Sequence, residues 1–276
     1  MNDGRTHSAT TTDGVTIGGT VHGEGPPVVF WHGAYGDGDL DWRGLVPHLT
    51  DRFTCHLPSW RGRGLSDAHP DLSYRRRVDD IVDYVDSLDG PAGLVGWSGG
   101  ANPALAAAAR TDAISALALF EPTMGSVMDE ADRAAFRGAV ARMGELAAEG
   151  RSADALRAAA GFPFNDEEIA QADDAGYFEA AAPYVPNLLE TFKQLARHEG
   201  PTADDPAVLG EISMPVLVLH GADTKSFWVR GAQHVCEHVR DARVQAIPGA
   251  GHAAPLTHPA ALADSLVEFF SLTQQL

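Results

Sequence analysis

The stretch Gly96-Trp97-Ser98-Gly99-Gly100 carries the residue types best suited to covalent chemistry in this sequence. It fits the pattern G-x-S-x-G and lies between a segment that reads as a strand, 92–96, and one that reads as a small-residue helix, 101–110. Small neighbours allow a sharp turn, which lifts the Ser98 hydroxyl out of the sheet. The turn also sets it at a helix N-terminus, where free N–H groups favour developing negative charge. A serine needs a base to be nucleophilic at neutral pH. His252, in Gly249-Ala250-Gly251-His252, follows the last expected strand and can supply one. Attack on a carbonyl creates an oxyanion that two backbone N–H groups must face. Gly99 N–H is one expected donor, and Ala34 N–H in His32-Gly33-Ala34-Tyr35-Gly36 is the other, with Gly33 less suited. His32 is expected to brace its loop. A carboxylate must hold the imidazole tautomer. Two strand ends offer one: Glu121 in Phe120-Glu121-Pro122, and Asp223 in His220-Gly221-Ala222-Asp223-Thr224.

The elements that must position these groups follow from hydrophobic patterning. Segments 9–12 and 15–22, joined by Asp13-Gly14, read as a hairpin. The apolar run 27–31 suits a buried strand, 40–49 a helix and 53–57 a strand. A helix is expected from the N-cap Ser73 to about Leu88, with Val78, Ile81, Val82 and Val85 on one face. Strands follow at 114–120, 215–219 and 243–247, and helices at 227–239 and 259–271. Between 123 and 205 the strand signal disappears, and helices are expected at 124–149, 153–160, 166–181 and 187–197. Alternating strands and helices argue for an α/β fold with a mostly parallel sheet covered on both faces. The division is a core of 1–122 and 206–276, with an all-helical insertion at 123–205.

Composition excludes several function classes. Asp+Glu is 38 and Lys+Arg is 20, a formal net charge of -18, so the chain repels phosphate backbones and anionic lipid. Neither nucleic-acid nor membrane binding is expected, and the field favours a substrate that is not strongly anionic. The acidity suits solubility or a high-salt source. Two cysteines, Cys55 and Cys236, provide no disulfide framework, and the first residues lack the apolar stretch of a signal peptide. A cytoplasmic protein is expected.

The elbow, the His252 loop and the loop after 27–31, in this order, resemble the α/β-hydrolase superfamily across nearly the whole chain. Ser59-Trp60-Arg61-Gly62-Arg63-Gly64-Leu65-Ser66 is similar to that family's D-x-R-G-x-G-x-S loop, with Ser59 where Asp is usual. The resemblance implies an eight-stranded, mostly parallel sheet flanked by helices. It also places 123–205 as a cap between the sixth and seventh strands. Many members carry the acid after the seventh strand, but Thr224 holds that place here and Asp223 lies one earlier. A minority take it from the end of the sixth strand, and Glu121 there resembles lactonases of the zearalenone-hydrolase type. Glu121 is therefore preferred, with Asp223 the alternative.

The expected activity is cofactor-free hydrolysis of a carboxylic ester or lactone through an acyl-enzyme at Ser98. C–C bond hydrolysis, perhydrolysis, or a non-enzymatic ligand receptor on the same fold are alternatives. Trp97, Trp60, Phe162, Tyr177, Tyr184 and Trp228, together with Met124, Phe164, Phe178, Phe192 and Phe227, are expected to line an apolar pocket for an aromatic or medium-chain group. No metal site is expected. Asp37-Gly38-Asp39-Leu40-Asp41 lacks the glycine and bidentate Glu of a calcium loop. His234 and His238 have no further ligand set in the sequence. Arg75-Arg76-Arg77 is expected to be solvated and paired with Asp79 and Asp80. The sequence does not fix oligomeric state.

Overall fold

The computed structural model describes residues 4–273. Eight strands form one sheet: β1 (Arg5–Thr10), β2 (Thr16–His22), β3 (Pro27–Trp31), β4 (Thr54–Pro58), β5 (Ala92–Trp97), β6 (Ile114–Phe120), β7 (Val216–Gly221) and β8 (Ala242–Ile247). Their spatial order is β1-β2-β4-β3-β5-β6-β7-β8. The β1–β2 and β2–β4 pairs are antiparallel and all the others parallel. Successive side chains alternate between faces, so each central strand feeds two cores. Ala116, Ala118 and Phe120 of β6 join the core beneath the helix Pro259–Thr273. Leu117 and Leu119 join the opposite core, with the helices Tyr74–Asp86, Ala101–Ala108 and Ser226–His238. That two-sided burial is why these strands read as unbroken apolar runs.

Between β6 and β7 the chain is helical, with helices at Glu130–Ala148, Ser152–Ala160, Asp166–Asp174, Tyr177–Ala181 and Val185–Leu195. The helix expected from 124 starts only at Glu130, because Asp129 and Asp132 form a reciprocal capping box. The one expected across 166–181 breaks at Gly176, whose φ of 68° is left-handed. The helix expected at 40–49 reduces to Gly38–Trp42 and a 3-10 turn at Val46–His48. Pro47 lacks the N–H that a continuing helix would use. In the first hairpin Thr11 belongs to the turn, its N–H donating to Val15 O at 2.8 Å. Two short helices, Pro206–Gly210 and Ala254–Thr257, carry too little periodicity to be read from sequence. Among the described residues no helix is long and apolar enough to cross a membrane.

Candidate active site

The C-terminal ends of β3, β5, β6 and β7 and the loop after β8 converge on Ser98. Strand β5 ends at Trp97, and Ser98–Gly100 turn tightly into the helix Ala101–Ala108. The turn requires glycine at its third residue. A Cβ on Gly100 would lie 2.3 Å from His32 O, and one on Gly96 would lie 2.7 Å from the Ala101 Cα. Ser98 itself has φ 54°. Among the described residues the only other non-glycine residue with positive φ is Glu121, at 47°. Such a conformation costs an L-residue about 1–2 kcal/mol. The packed strand ends around both residues hold them in it.

Those two residues are joined through His252. The Ser98 hydroxyl lies 2.9 Å from His252 Nε2, and His252 Nδ1 lies 2.5 Å from Glu121 Oε2. A carboxylate only accepts, so the Nδ1 proton is on the Glu121 side and Nε2 is free to accept the serine proton. Glu121 is fully buried, and two further donors satisfy it. Gly221 N–H donates to Oε1 at 2.7 Å and the Thr224 hydroxyl to Oε2 at 3.0 Å. Thr224, at the usual acid position, thus supports the carboxylate of the neighbouring strand. Asp223 is exposed, its N–H donates to Ala250 O at 2.9 Å, and its carboxylate is not joined to His252. The one-residue displacement along the loop puts that side chain on the solvent side, so the structure brings Glu121 and not Asp223 to the imidazole.

His252 is fixed on its other sides as well. The Trp228 ring stacks on it at 3.9 Å between centroids and 18° between planes. An aromatic face there favours the imidazolium. Trp97 Nε1 donates to His252 O at 3.0 Å. The loop is also held from the helical block. Glu168, buried on Asp166–Asp174, accepts from Ala253 N at 2.7 Å and from Asn165 N at 3.0 Å. Gly251 is required at that contact, since a Cβ would lie 2.6 Å from the Glu168 carboxylate oxygens.

The loop after β3 faces the elbow, with a Cβ on Gly99 lying 3.4 Å from the Ala34 Cβ. Gly33 N–H is taken by Asp41 Oδ2 at 2.9 Å, whereas Ala34 N–H has no acceptor among the described residues. Burial raises the Asp41 carboxyl to about 7, against hydrogen bonds from Tyr177 OH and Gly33 N–H that lower it. His32 braces the same loop, with Nε2 accepting from Trp60 N at 3.0 Å and Nδ1 donating to Gly33 O at 3.0 Å. Arg63 donates to Ala34 O at 2.6 Å and Gly36 O at 2.9 Å, which fixes the direction of those peptides.

A cavity of about 450 Å³ opens over Ser98 and His252. Trp97, Phe162, Phe164, Tyr177, Phe192 and Trp228 line it as expected, joined by Phe136 from the helical block. Trp60, Met124, Phe178, Tyr184 and Phe227 do not line it. Trp60 is buried beneath the Arg77 guanidinium, 3.5 Å from its ring centroid, and Nε1 donates to His32 O at 3.3 Å. Tyr184 turns away to donate its hydroxyl to Asp37 Oδ2 at 2.5 Å. Asp37 also caps the helix Gly38–Trp42 by accepting from Leu40 N at 2.8 Å, so the acidic run at 37–41 serves as a helix start. At His234 and His238 the structure adds Glu237, with one ligand atom of each within 4.8 Å of the others. Both imidazoles already bond backbone carbonyls, Asp204 O and His234 O, at 2.9 Å.

Two residues escaped the sequence reading. Arg77 was expected to be solvated and paired, as Arg75 is, but it is buried in the cavity wall with no carboxylate partner. A signal existed: position 77 precedes Ile81 by four and Tyr84 by seven, which puts it on the buried stripe of its helix. Glu168 had only its place as third residue after Asn165, the mark of a capping box.

The description "alpha/beta hydrolase fold" matches residues 26–259, and the chain belongs to that family. It is a hydrolase, with relatives and structural neighbours that are hydrolases and esterases. A 2-hydroxy-6-oxo-6-(2'-aminophenyl)hexa-2,4-dienoic acid hydrolase of Metapseudomonas resinovorans is 27% identical over 258 residues, 90% of this chain and 85% of its own. A solved alpha/beta hydrolase from Sphaerobacter thermophilus is 28% identical, with a TM-score of 0.73 over 96% of this chain and 100% of that one. An esterase from Exiguobacterium antarcticum shares the fold, with a TM-score of 0.76 at 18% identity over 95% of this chain and 98% of its own.

Proposed function

We propose that the protein hydrolyses a carboxylic ester or lactone through an acyl-enzyme at Ser98. The observation that carries this is the continuous relay from Ser98 Oγ through His252 to the buried Glu121. In the first step Oγ attacks the carbonyl carbon while its proton passes to His252 Nε2. The oxyanion so formed lies against the N–H groups of Ala34 and Gly99, and Glu121 stabilises the imidazolium. The tetrahedral intermediate collapses, the C–O bond to the alcohol breaks, and His252 returns the proton to the departing oxygen. Water, deprotonated by His252, then attacks the acyl carbon and frees Ser98. No step calls for a cofactor or a metal.

Residues 123–205 serve as the cap. Their aromatic side chains roof the cavity and favour a substrate with an apolar or aromatic body, the class to which resorcylic lactones of the zearalenone type belong. The two cysteines, unbridged in the structure, fit a cytoplasmic protein. A second reading, hydrolysis of a C–C bond in a vinylogous diketone, draws on the name of the Metapseudomonas resinovorans relative. A fluorophosphonate probe tests the nucleophile: it should label Ser98, and labelling should vanish in Ser98→Ala. Modification at another residue would remove the proposal. Turnover of esters and lactones of graded size, set against a meta-cleavage-type dienoate, separates the two readings.

A further inference from the structure

Three arginines are buried within the fold: Arg61, Arg63 and Arg77. Burying a guanidinium is costly unless its donors are matched. Arg61 meets that cost with two carboxylates, Asp80 at 2.8 Å and Asp13 at 3.0 Å. Arg63 is matched by the carbonyls of Ala34 and Gly36 and by Asn187 Oδ1 at 2.9 Å. Arg77 differs. Its single hydrogen bond runs from Nη2 to Gly99 O at 3.0 Å, and no carboxylate lies within ion-pair distance among the described residues. One face of the guanidinium is covered by Trp60. Its Nε and Nη1 have no protein partner, yet they are not among the sealed, unsatisfied polar atoms of the interior. Those donors are thus not sealed in the interior, and Arg77 is a wall residue of the cavity over Ser98.

The Asp80 carboxylate acts on Arg77 through space but is bonded to Arg61. Burial, and next the neighbouring charge of Arg63, push Arg77 down to about 9. Asp204 is the carboxylate on the cavity wall. It is already bonded by Asn102 Nδ2 at 2.7 Å and Ser126 N at 2.6 Å and forms no ion pair with Arg77. The hydrogen bond to Gly99 O ties Arg77 to the residue that follows the nucleophile, in a cavity also lined by aromatic side chains. A guanidinium with a free edge in such a setting suits a planar anion held by paired N–H···O bonds.

We propose that Arg77 is the anion-binding residue of this cavity and that the substrate carries a carboxylate beside its apolar body. The proposal rests on Ser98 being the nucleophile of a hydrolase. It replaces the expectation, drawn from the net charge of -18, of a substrate that is not strongly anionic. Exposed charges act weakly beyond a Debye length of about 8 Å, whereas a buried guanidinium acts at contact.

The test uses matched ester pairs: mono-para-nitrophenyl glutarate against para-nitrophenyl pentanoate, and para-acetoxybenzoate against its methyl ester. The wild type should favour the charged member of at least one pair in kcat/KM. In Arg77→Met that preference should fall by between about tenfold and a hundredfold, chiefly through KM. Arg77→Lys should retain part of it. Since Arg77→Met could fail to fold, inhibition of the wild type alone supplies a second reading. Phenylbutyrate should inhibit, and phenylbutyramide should not. No charge preference in either pair, equal loss on both members in the variant, or equal inhibition by acid and amide would each overturn the assignment. Fluorophosphonate labelling of Ser98, run in parallel, keeps failure of this subsite distinct from failure of the nucleophile.

Discussion

Replacing Glu121 with Gln isolates the part of the relay that the sequence left open. The carboxylate accepts three hydrogen bonds, from His252 Nδ1 at 2.5 Å, Gly221 N at 2.7 Å and Thr224 Oγ1 at 3.0 Å. Gln has nearly the same shape, and its amide oxygen can keep the bond from Gly221. Its NH2 group then faces His252 and Thr224. The threonine hydroxyl can rotate to accept, but His252 can accept only by moving its proton from Nδ1 to Nε2. The Nε2–H then points at Ser98 Oγ and cannot take its proton. The fold should be little affected, while the proposed base is lost in its ground state. Loss of the correct tautomer in a Ser-His-acid relay costs about ten-thousandfold in kcat, or about 5 kcal/mol of transition-state stabilisation. The assay is turnover of a para-nitrophenyl ester together with the rate of fluorophosphonate labelling, which reads Ser98 nucleophilicity without a natural substrate. Both should fall together, with KM nearly unchanged. Asp223→Asn, altering an exposed group, should leave both within about twofold. A Glu121→Gln enzyme that kept a tenth of wild-type kcat, or an Asp223→Asn enzyme that lost as much, would refute the reasoning.

Two further predictions concern groups that hold the site. Asp41 is fully buried with its carboxyl raised to about 7, so the folded state favours its protonated form relative to the unfolded chain. The stability this contributes is complete below the ordinary Asp range near 4 and is lost as pH rises through about 7. Chemical denaturation between about pH 5 and pH 8 should show wild-type stability falling with this component, and Asp41→Asn should flatten it; an unchanged slope in Asp41→Asn would remove Asp41 as its source. Glu168→Ala removes the acceptor of Ala253 N–H next to His252 and should cost about 1–3 kcal/mol of stability, measured by urea unfolding. Ester turnover should fall through kcat more than KM, with Glu168→Gln recovering part of it, and an unaltered kcat would show that the helical block does not position the His252 loop.

The elbow, the His252 loop and the alternation of strands and helices were legible because each is a local pattern. Gly96 to Gly100 fit a turn that admits only small residues at fixed places, and the strands of a doubly covered sheet must be apolar throughout. The acid was not legible in the same way. Glu121 meets a residue 131 positions later in the chain, and Asp223 stands at the end of the next strand in the sheet. Both had the right chemistry. Backbone geometry separated them: Glu121 turns inward at φ 47° under the donors of Gly221 and Thr224, while Asp223 turns to solvent. The same limit explains the aromatic residues. Nothing near Trp60 or Tyr184 in sequence announces that one lies beneath Arg77 and the other bonds Asp37, and nothing near Phe136 announces that it reaches the cavity.

Arg77 shows where the boundary lies. Its position on the apolar stripe of a helix could be computed from the sequence, but a run of three arginines beside two aspartates suggested paired surface charge. By itself the sequence determined the α/β-hydrolase fold and singled out Ser98 and His252 as candidates, because steric rules and the two-residue and 3.6-residue periods act over a few neighbours. The tertiary structure alone decided which carboxylate reaches the imidazole, which aromatic residues face the cavity and which arginine lines it without a carboxylate partner among the described residues. Those outcomes depend on the positions of chain segments brought together from distant parts of the sequence, and on which hydrogen bonds the surrounding side chains have already taken.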